Sequence, residues 1–211
     1  MDNPRFYIIT GASGAGKSTL LRALGDLGYA VVPEVALSIV QEQEKRGGNL
    51  FPWTNLQVFM EEVLARNLSA YDAAQTLPSP VFFDRAVPEC IGHMRILGLE
   101  IEAKHVEACR RRPYAHPVFV AEPWPEIYVT DRWRRASFAR AQRSYEPTVA
   151  AYVAEGYRTC LLPKASVEER VAFVRQQIKN DEPKQIAEAS RAAVKYPDDA
   201  GRAPIEGVDH H

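Results

Sequence analysis

Gly11-Ala12-Ser13-Gly14-Ala15-Gly16-Lys17-Ser18 has the spacing G-x-x-x-x-G-K-[ST] and runs on into Thr19. That spacing is suited to holding phosphate. Glycines at 11, 14 and 16 let the backbone curl until its N–H groups face one point. A helix beginning near Gly16 adds its positive end to the same point. Lys17 then reaches toward β- and γ-phosphates, and the Ser18 hydroxyl becomes a ligand for Mg²⁺. The stretch from Gly11 through Thr19 is therefore expected to wrap a nucleotide, ATP first and GTP as the alternative.

Four further groups of residues could do chemistry. Glu34 follows a short apolar run and a proline, where it could orient or deprotonate a hydroxyl. The same residue reads equally well as an acid favoured by a helix N-terminus. Asp84 closes the run Val81-Phe82-Phe83, as a metal-organising acid does, and so is expected to serve Mg²⁺, an acceptor hydroxyl or both. Its plainer role would be an ion pair with Arg85. Arg85 itself suits bidentate recognition of substrate oxygens. Arg132, Arg134 and Arg135 lie in an arginine-rich stretch with Arg140 and Arg143. The first three are candidates for a lid that brings positive charge to a transferring phosphoryl group, Arg134 foremost. Trp53 and Trp124 could stack on a ring or simply pack. Glu122 is the weakest acid of the set. His93, His105 and His116 lack metal-ligand spacing.

The elements that must position these residues alternate. Apolar runs at residues 6–9, 29–32, 81–83, 117–120 and 157–162 read as five strands, with helical periodicity between them. Helices are expected over 35–45, from Leu56 through Tyr71, over 86–97, 100–112 and 131–144, from Pro147 to Gly156, and from Val167 onward. Thr54 with Gln57, and Ser166 with Glu169, have capping-box spacing. Such alternation implies α/β architecture with a parallel sheet covered on both faces, and ligands bind such sheets outside the carboxyl ends of the strands. The loop at 11–18, Glu34, Asp84-Arg85, Glu122 and residues 163–166 all follow a strand, so one sheet edge gathers them. Residues 1–179 are expected to form the nucleotide-binding domain and 180–211 a polar tail.

Composition narrows the partners. With 211 residues and a net charge of −1, the chain has no basic field to attract nucleic acid. Cys90, Cys109 and Cys160 form no C-x-x-C pair and suit a reducing compartment. No apolar run approaches the ~18 residues of a membrane span, and the N-terminus leaves no room for a signal peptide, so a cytoplasmic location is expected. Oligomeric state is not legible.

The order of these segments resembles P-loop kinases of nucleosides and nucleotides. In deoxynucleoside and thymidylate kinases the segment matching Pro33-Glu34 supplies a catalytic or substrate-facing acid, and that matching Asp84-Arg85 serves metal and substrate. More closely, the chain is similar to the AAA-type ATPase/kinase-like family that includes the ribosylnicotinamide kinase domain. Phe51-Pro52-Trp53, the run from Pro123 to Tyr128, Asp131 with Arg134, and the run from Leu162 to Arg170 carry that likeness. It implies a three-layer P-loop NTPase fold with a five-stranded parallel sheet and a helical lid. It further implies Mg-dependent transfer of a γ-phosphoryl group to a hydroxyl of a small nucleoside-like or other acceptor. Lys17, Glu34, Asp84 and Arg134 would be catalytic, Ser18 and Asp84 on the metal, and Glu34, Trp53, Asp84 and Arg85 toward the acceptor. The alternative is a nucleotide-dependent switch or weak ATPase acting with a macromolecular partner. No N-K-x-D follows a strand, and the chain is too short for the helical lid domain of ring-forming motors.

Overall fold

Five short strands, each flanked by segments of helical period, assemble into one parallel sheet of order β2-β3-β1-β4-β5. They are β1 (Phe6–Gly11), β2 (Ala30–Val32), β3 (Val81–Asp84), β4 (Val118–Ala121) and β5 (Thr159–Leu161). The computed structural model describes residues 5–129 and 137–180. Between the strands run α1 (Lys17–Asp26), α2 (Val35–Arg46), α3 (Leu56–Ala74), α4 (Val87–Ile96), α5 (Ala103–Arg110) and α6 (Phe138–Ala154), with a 3₁₀ turn at Pro125–Ile127. A last helix, α7, starts at residue 167 and runs through 180. The expected α/β class and five-stranded parallel sheet are what the fold contains.

The inner strands β1, β3 and β4 are buried on both faces and are largely apolar on both sides, while the edge strands β2 and β5 are partly exposed. Tyr7, Ile9, Phe82 and Phe119 face α1 and α7, where Leu20, Leu24, Val174 and Ile178 meet them. Phe6, Ile8, Val81 and Phe83 face the other way, toward Tyr71, Tyr114 and Tyr152. A third apolar cluster, built on Ile39, Phe59, Val63, Val87 and Ile91, binds α2, α3 and α4 to one another beside the sheet. The three clusters hold the strand ends in fixed relation, and through them the loops that follow.

Three local expectations are corrected. The cap of α3 is Asn55, whose side chain accepts from the Val58 amide, and not Thr54. Gln57 is drawn instead to the backbone of Glu100, to which it both donates and from which it accepts. Pro147 lies inside α6 rather than opening a new helix. A proline removes one helical hydrogen bond, but Thr148, Ala151 and Tyr152 are buried beyond it and keep the helix whole. Of the helix expected over 131–144, residues 131–136 lie outside the described ones, and α6 starts at Phe138 behind Ser137, which accepts from the Arg140 amide. The capping box at Ser166 and Glu169 is formed in both directions, at 2.9 and 3.2 Å. No helix among the described residues is long and apolar enough to cross a membrane.

Helices α4 and α6 pack closely where Gly92 meets Ala151. A Cβ on Gly92 would overlap the Cβ of Ala151 and lie 3.2 Å from its Cα. Gly92→Ala should therefore lower stability by about 1–3 kcal/mol, read as the midpoint of denaturant unfolding. An unchanged midpoint would mean that the two helices part at little cost.

Candidate functional site

The phosphate-binding loop is set by a close approach of two strands. Gly11 has φ +116°, and a Cβ there would overlap the backbone of Ala121. The Ala12 amide donates to the Ala121 carbonyl at 2.9 Å, which ties the start of the loop to β4. The other end turns at Gly16, φ +75°, immediately before α1. The Lys17 ammonium folds back on its own loop and donates to the carbonyls of Gly11 (3.2 Å) and Ala12 (2.7 Å). Burial lowers its pKa to about 8, Arg85 adding to the effect while Asp84, Glu34 and Glu89 oppose it. Ser18 and Thr19 are exposed at the first turn of α1.

The parallel sheet brings Glu34, Asp84 and Arg85 to this edge. Arg85 follows β3 and reaches three elements at once. Its Nε faces Glu34 Oε1 at 3.3 Å, its Nη1 pairs with Glu89 Oε1, and its Nη2 donates to the Gly11 carbonyl at 3.2 Å. Its φ of +65° is the left-handed conformation that a side chain rarely adopts, a strain of roughly 1–2 kcal/mol that the surrounding bonds must hold. Burial opposes its charge, but Glu89, Glu34 and Asp84 outweigh that and hold the guanidinium more firmly protonated than usual. Glu34 sits at the N-cap of α2, yet its carboxylate makes no capping bond; it is turned to Arg85.

Asp84 is not paired with Arg85 by a hydrogen bond. Its Oδ1 is buried and has no hydrogen-bond partner. Burial, with Glu34 second, raises its pKa to about 6. A buried carboxylate oxygen without a donor is what a hard cation takes up. Among the described residues no group of three or more His, Cys, Asp or Glu could hold a metal alone. One carboxylate with a loop hydroxyl suits magnesium, which is usually held by one or two protein groups together with phosphate and water.

Glu89 was not singled out from the sequence. It is 2 % exposed, and its Oε2 accepts from Thr10 Oγ1 at 2.6 Å and from the Tyr152 hydroxyl at 3.0 Å. Burial would raise its pKa, but Arg85 outweighs that and holds the carboxylate below its usual range. His93 Nδ1 lies 4.0 Å from Glu89 Oε1, and its Nε2 is 3.1 Å from Thr148 Oγ1. A signal existed: an acid in the apolar run Ala86-Val87-Pro88-Glu89-Cys90-Ile91, four residues after Arg85, where helical neighbours meet.

Two cavities flank this centre. One, ≈ 550 Å³, is lined by Lys17 and Ser18 of the loop and continues past Trp124, Ile127, Ala165 and Arg170. Arg170 lies 5.9 Å over the Trp124 ring and donates to the Ala15 carbonyl at 3.1 Å, fastening α7 to the loop. The other, ≈ 240 Å³, is lined by Glu34, Arg85, Glu89 and His93 with apolar walls from Met60 and Val63. Trp53 and Glu122 line neither. Trp53 is 71 % exposed, stacked on Phe51 at 4.8 Å. Arg132, Arg134 and Arg135 lie outside the described residues.

The sequence matches the AAA domain family over residues 6–170. The chain belongs to that family. A nucleotide-binding protein of Gluconobacter oxydans is 34% identical over 116 residues, 54% of this chain and 32% of that protein. The chain thus spans about a third of that relative's length. The fold is that of P-loop kinases. The deoxyadenosine kinase of M. mycoides superposes with a TM-score of 0.57 at 13% identity, covering 83% of this chain and 99% of that one. The NadR protein in complex with NR superposes with a TM-score of 0.54 at 13% identity, covering 78% and 47%.

Two outcomes follow from the electrostatics of this AAA domain. Ionised Asp84 is disfavoured by its surroundings, so above pH 6 its charge lowers the stability of the nucleotide-free protein. Asp84→Asn should stabilise that protein at pH 7 by about 1–3 kcal/mol in chemical denaturation. The gain should shrink as the pH falls from 6 toward 4, where Asp84 is protonated in the folded state and begins to be so in the unfolded. A variant less stable than wild type at pH 7 would contradict this. Lys17 is partly deprotonated at pH 8 and should be recharged by phosphate. Nucleotide binding there should take up protons, seen by calorimetry in buffers of different ionisation enthalpy, and this uptake should be absent at pH 6.5.

Proposed function

We propose that the chain transfers the γ-phosphoryl group of ATP to a hydroxyl of a small acceptor, with Mg²⁺. The observation that carries this reading is the convergence on the Gly11 carbonyl of two cations that line different cavities. Lys17, from the loop-side cavity, and Arg85, from the Glu34 side, both donate to that one oxygen. A donor nucleotide and an acceptor would thus lie on either side of two adjacent cations. The fold neighbour from M. mycoides is itself a kinase, described with dCMP and dCDP bound, which supports the reaction class without naming this acceptor.

The loop amides and Lys17 would hold the β- and γ-phosphates, and Lys17 would leave its own carbonyls to do so. Ser18 and Asp84 would hold magnesium, which when bound neutralises phosphate charge. The acceptor hydroxyl oxygen forms the new P–O bond. The bond from the γ-phosphorus to the β–γ bridging oxygen breaks, and its electron pair leaves with ADP. The hydroxyl proton passes to a carboxylate, and both Asp84, raised to about 6, and Glu34 are candidates to take it. Positioning and charge, rather than covalent chemistry, are what such a transfer asks of a protein. Arg134, with Arg132 and Arg135, is proposed as the lid that adds charge to the transferring group.

ATP is proposed as the nucleotide, with GTP as the alternative. A second reading, a nucleotide-dependent binding module, has its support in the name of the Gluconobacter relative, a nucleotide-binding protein.

Incubation of the whole chain with ATP, Mg²⁺ and a panel of hydroxyl metabolites should yield ADP only when a suitable acceptor is present. Lys17→Ala should lower that rate at least about a thousandfold. Turnover that ignores every acceptor, or nucleotide binding with no turnover at all, would favour the binding module instead.

A further inference from the structure

Arg85 is the only lysine or arginine among the described residues lining the smaller cavity, where it faces two carboxylates, Glu34 and Glu89. A guanidinium in an acceptor site ordinarily suits phosphate or carboxylate. Here most of its donors are already in use. Nε is turned to Glu34, Nη1 to Glu89 and Nη2 to the Gly11 carbonyl, so three of its five N–H groups are directed inward. Glu89 cannot swing away, because Thr10 and Tyr152 hold its second oxygen. His93 adds no compensating charge at neutral pH, since burial lowers its pKa despite the nearby Glu89.

We propose that this cavity admits compact, uncharged hydroxyl compounds and turns anionic ones away, with Glu89 setting the rule by neutralising Arg85. An acceptor already bearing a phosphate would meet more carboxylate than guanidinium. A neutral hydroxyl meets Glu34 as a hydrogen-bond acceptor and the remaining Arg85 protons as donors. Met60 and Val63 give the ligand an apolar wall. At ≈ 240 Å³ the cavity falls below the ~300–1,000 Å³ of drug-sized ligand sites, so the occupant is small. Glu89 is a positioning residue in this scheme: it acts through Arg85.

The identity of this cavity as the acceptor site rests on the phosphotransferase reading above, and the two are separated by the test. The full chain and its Glu89→Gln variant are saturated with Mg²⁺ and a non-hydrolysable ATP analogue, so that the loop is filled. Each is then titrated with inorganic phosphate by calorimetry. The wild type should show no phosphate binding in the low millimolar range, and Glu89→Gln should bind at least about tenfold more tightly. In parallel, sugars and nucleosides are offered as acceptors beside their own monophosphates, and the wild type should phosphorylate only the uncharged member of a pair. Equal phosphate affinity in the two proteins overturns the proposal, as does a wild type that uses a monophosphate as readily as its parent. A variant that unfolds cooperatively at a wild-type temperature and still excludes phosphate overturns the role of Glu89. If Glu89→Gln does not fold, the wild-type titration and acceptor pairs still decide the charge rule. Absence of transfer to any acceptor sinks the phosphotransferase reading, while the phosphate titration continues to judge the exclusion of anions.

Discussion

The site depends on one buried guanidinium. Arg85 joins the ends of β1, β2 and β3 and the first turns of α4, through Gly11, Glu34 and Glu89. A buried charge without partners would be strongly unfavourable, and removing one member of such a network leaves the others exposed to that penalty. The left-handed backbone at Arg85 adds strain that only a rigid surround can hold. The three apolar clusters provide the surround. They fix the strand ends, the strand ends fix Arg85, and Arg85 holds Glu34 off its own helix and in the cavity.

Charge in this region is arranged as opposing pairs under a shared desolvation. Lys17 is pulled toward neutrality and so is Asp84, while Arg85 and Glu89 hold each other ionised. The first two are the groups proposed to meet phosphate and metal, and the last two are paired with each other. Groups poised near their titration point beside groups locked away from it are a common arrangement at functional sites.

Much of this was legible in the sequence. The loop spacing, the apolar runs and their alternation with helical periods specify the sheet and put Glu34, Asp84 and Arg85 on one edge, because a parallel sheet has only one carboxyl end. Partner choice was not legible. Nothing local says whether Glu34 caps its helix or faces Arg85; the register of β2 beside β3 decides it. Glu89 escaped notice because a buried acid gives no periodic signal, and its partners Thr10 and Tyr152 are 79 and 63 residues away. Asn55 rather than Thr54 caps α3, a one-residue shift that cap chemistry alone does not resolve. Pro147 misled for a related reason: burial of the helix on both sides of it outweighed one lost hydrogen bond.

The self-bonding of Lys17 has a consequence for how the loop distinguishes its ligands. Its ammonium already has two carbonyl partners, Gly11 and Ala12, so the loop's own backbone serves as a stand-in ligand. Arrival of a nucleotide is an exchange of partners rather than the ordering of a slack chain. Any phosphate that takes the ammonium must replace those two bonds with contacts of its own to the lysine and the loop amides. The two carbonyls thus set a threshold that a ligand's contacts with the loop have to exceed.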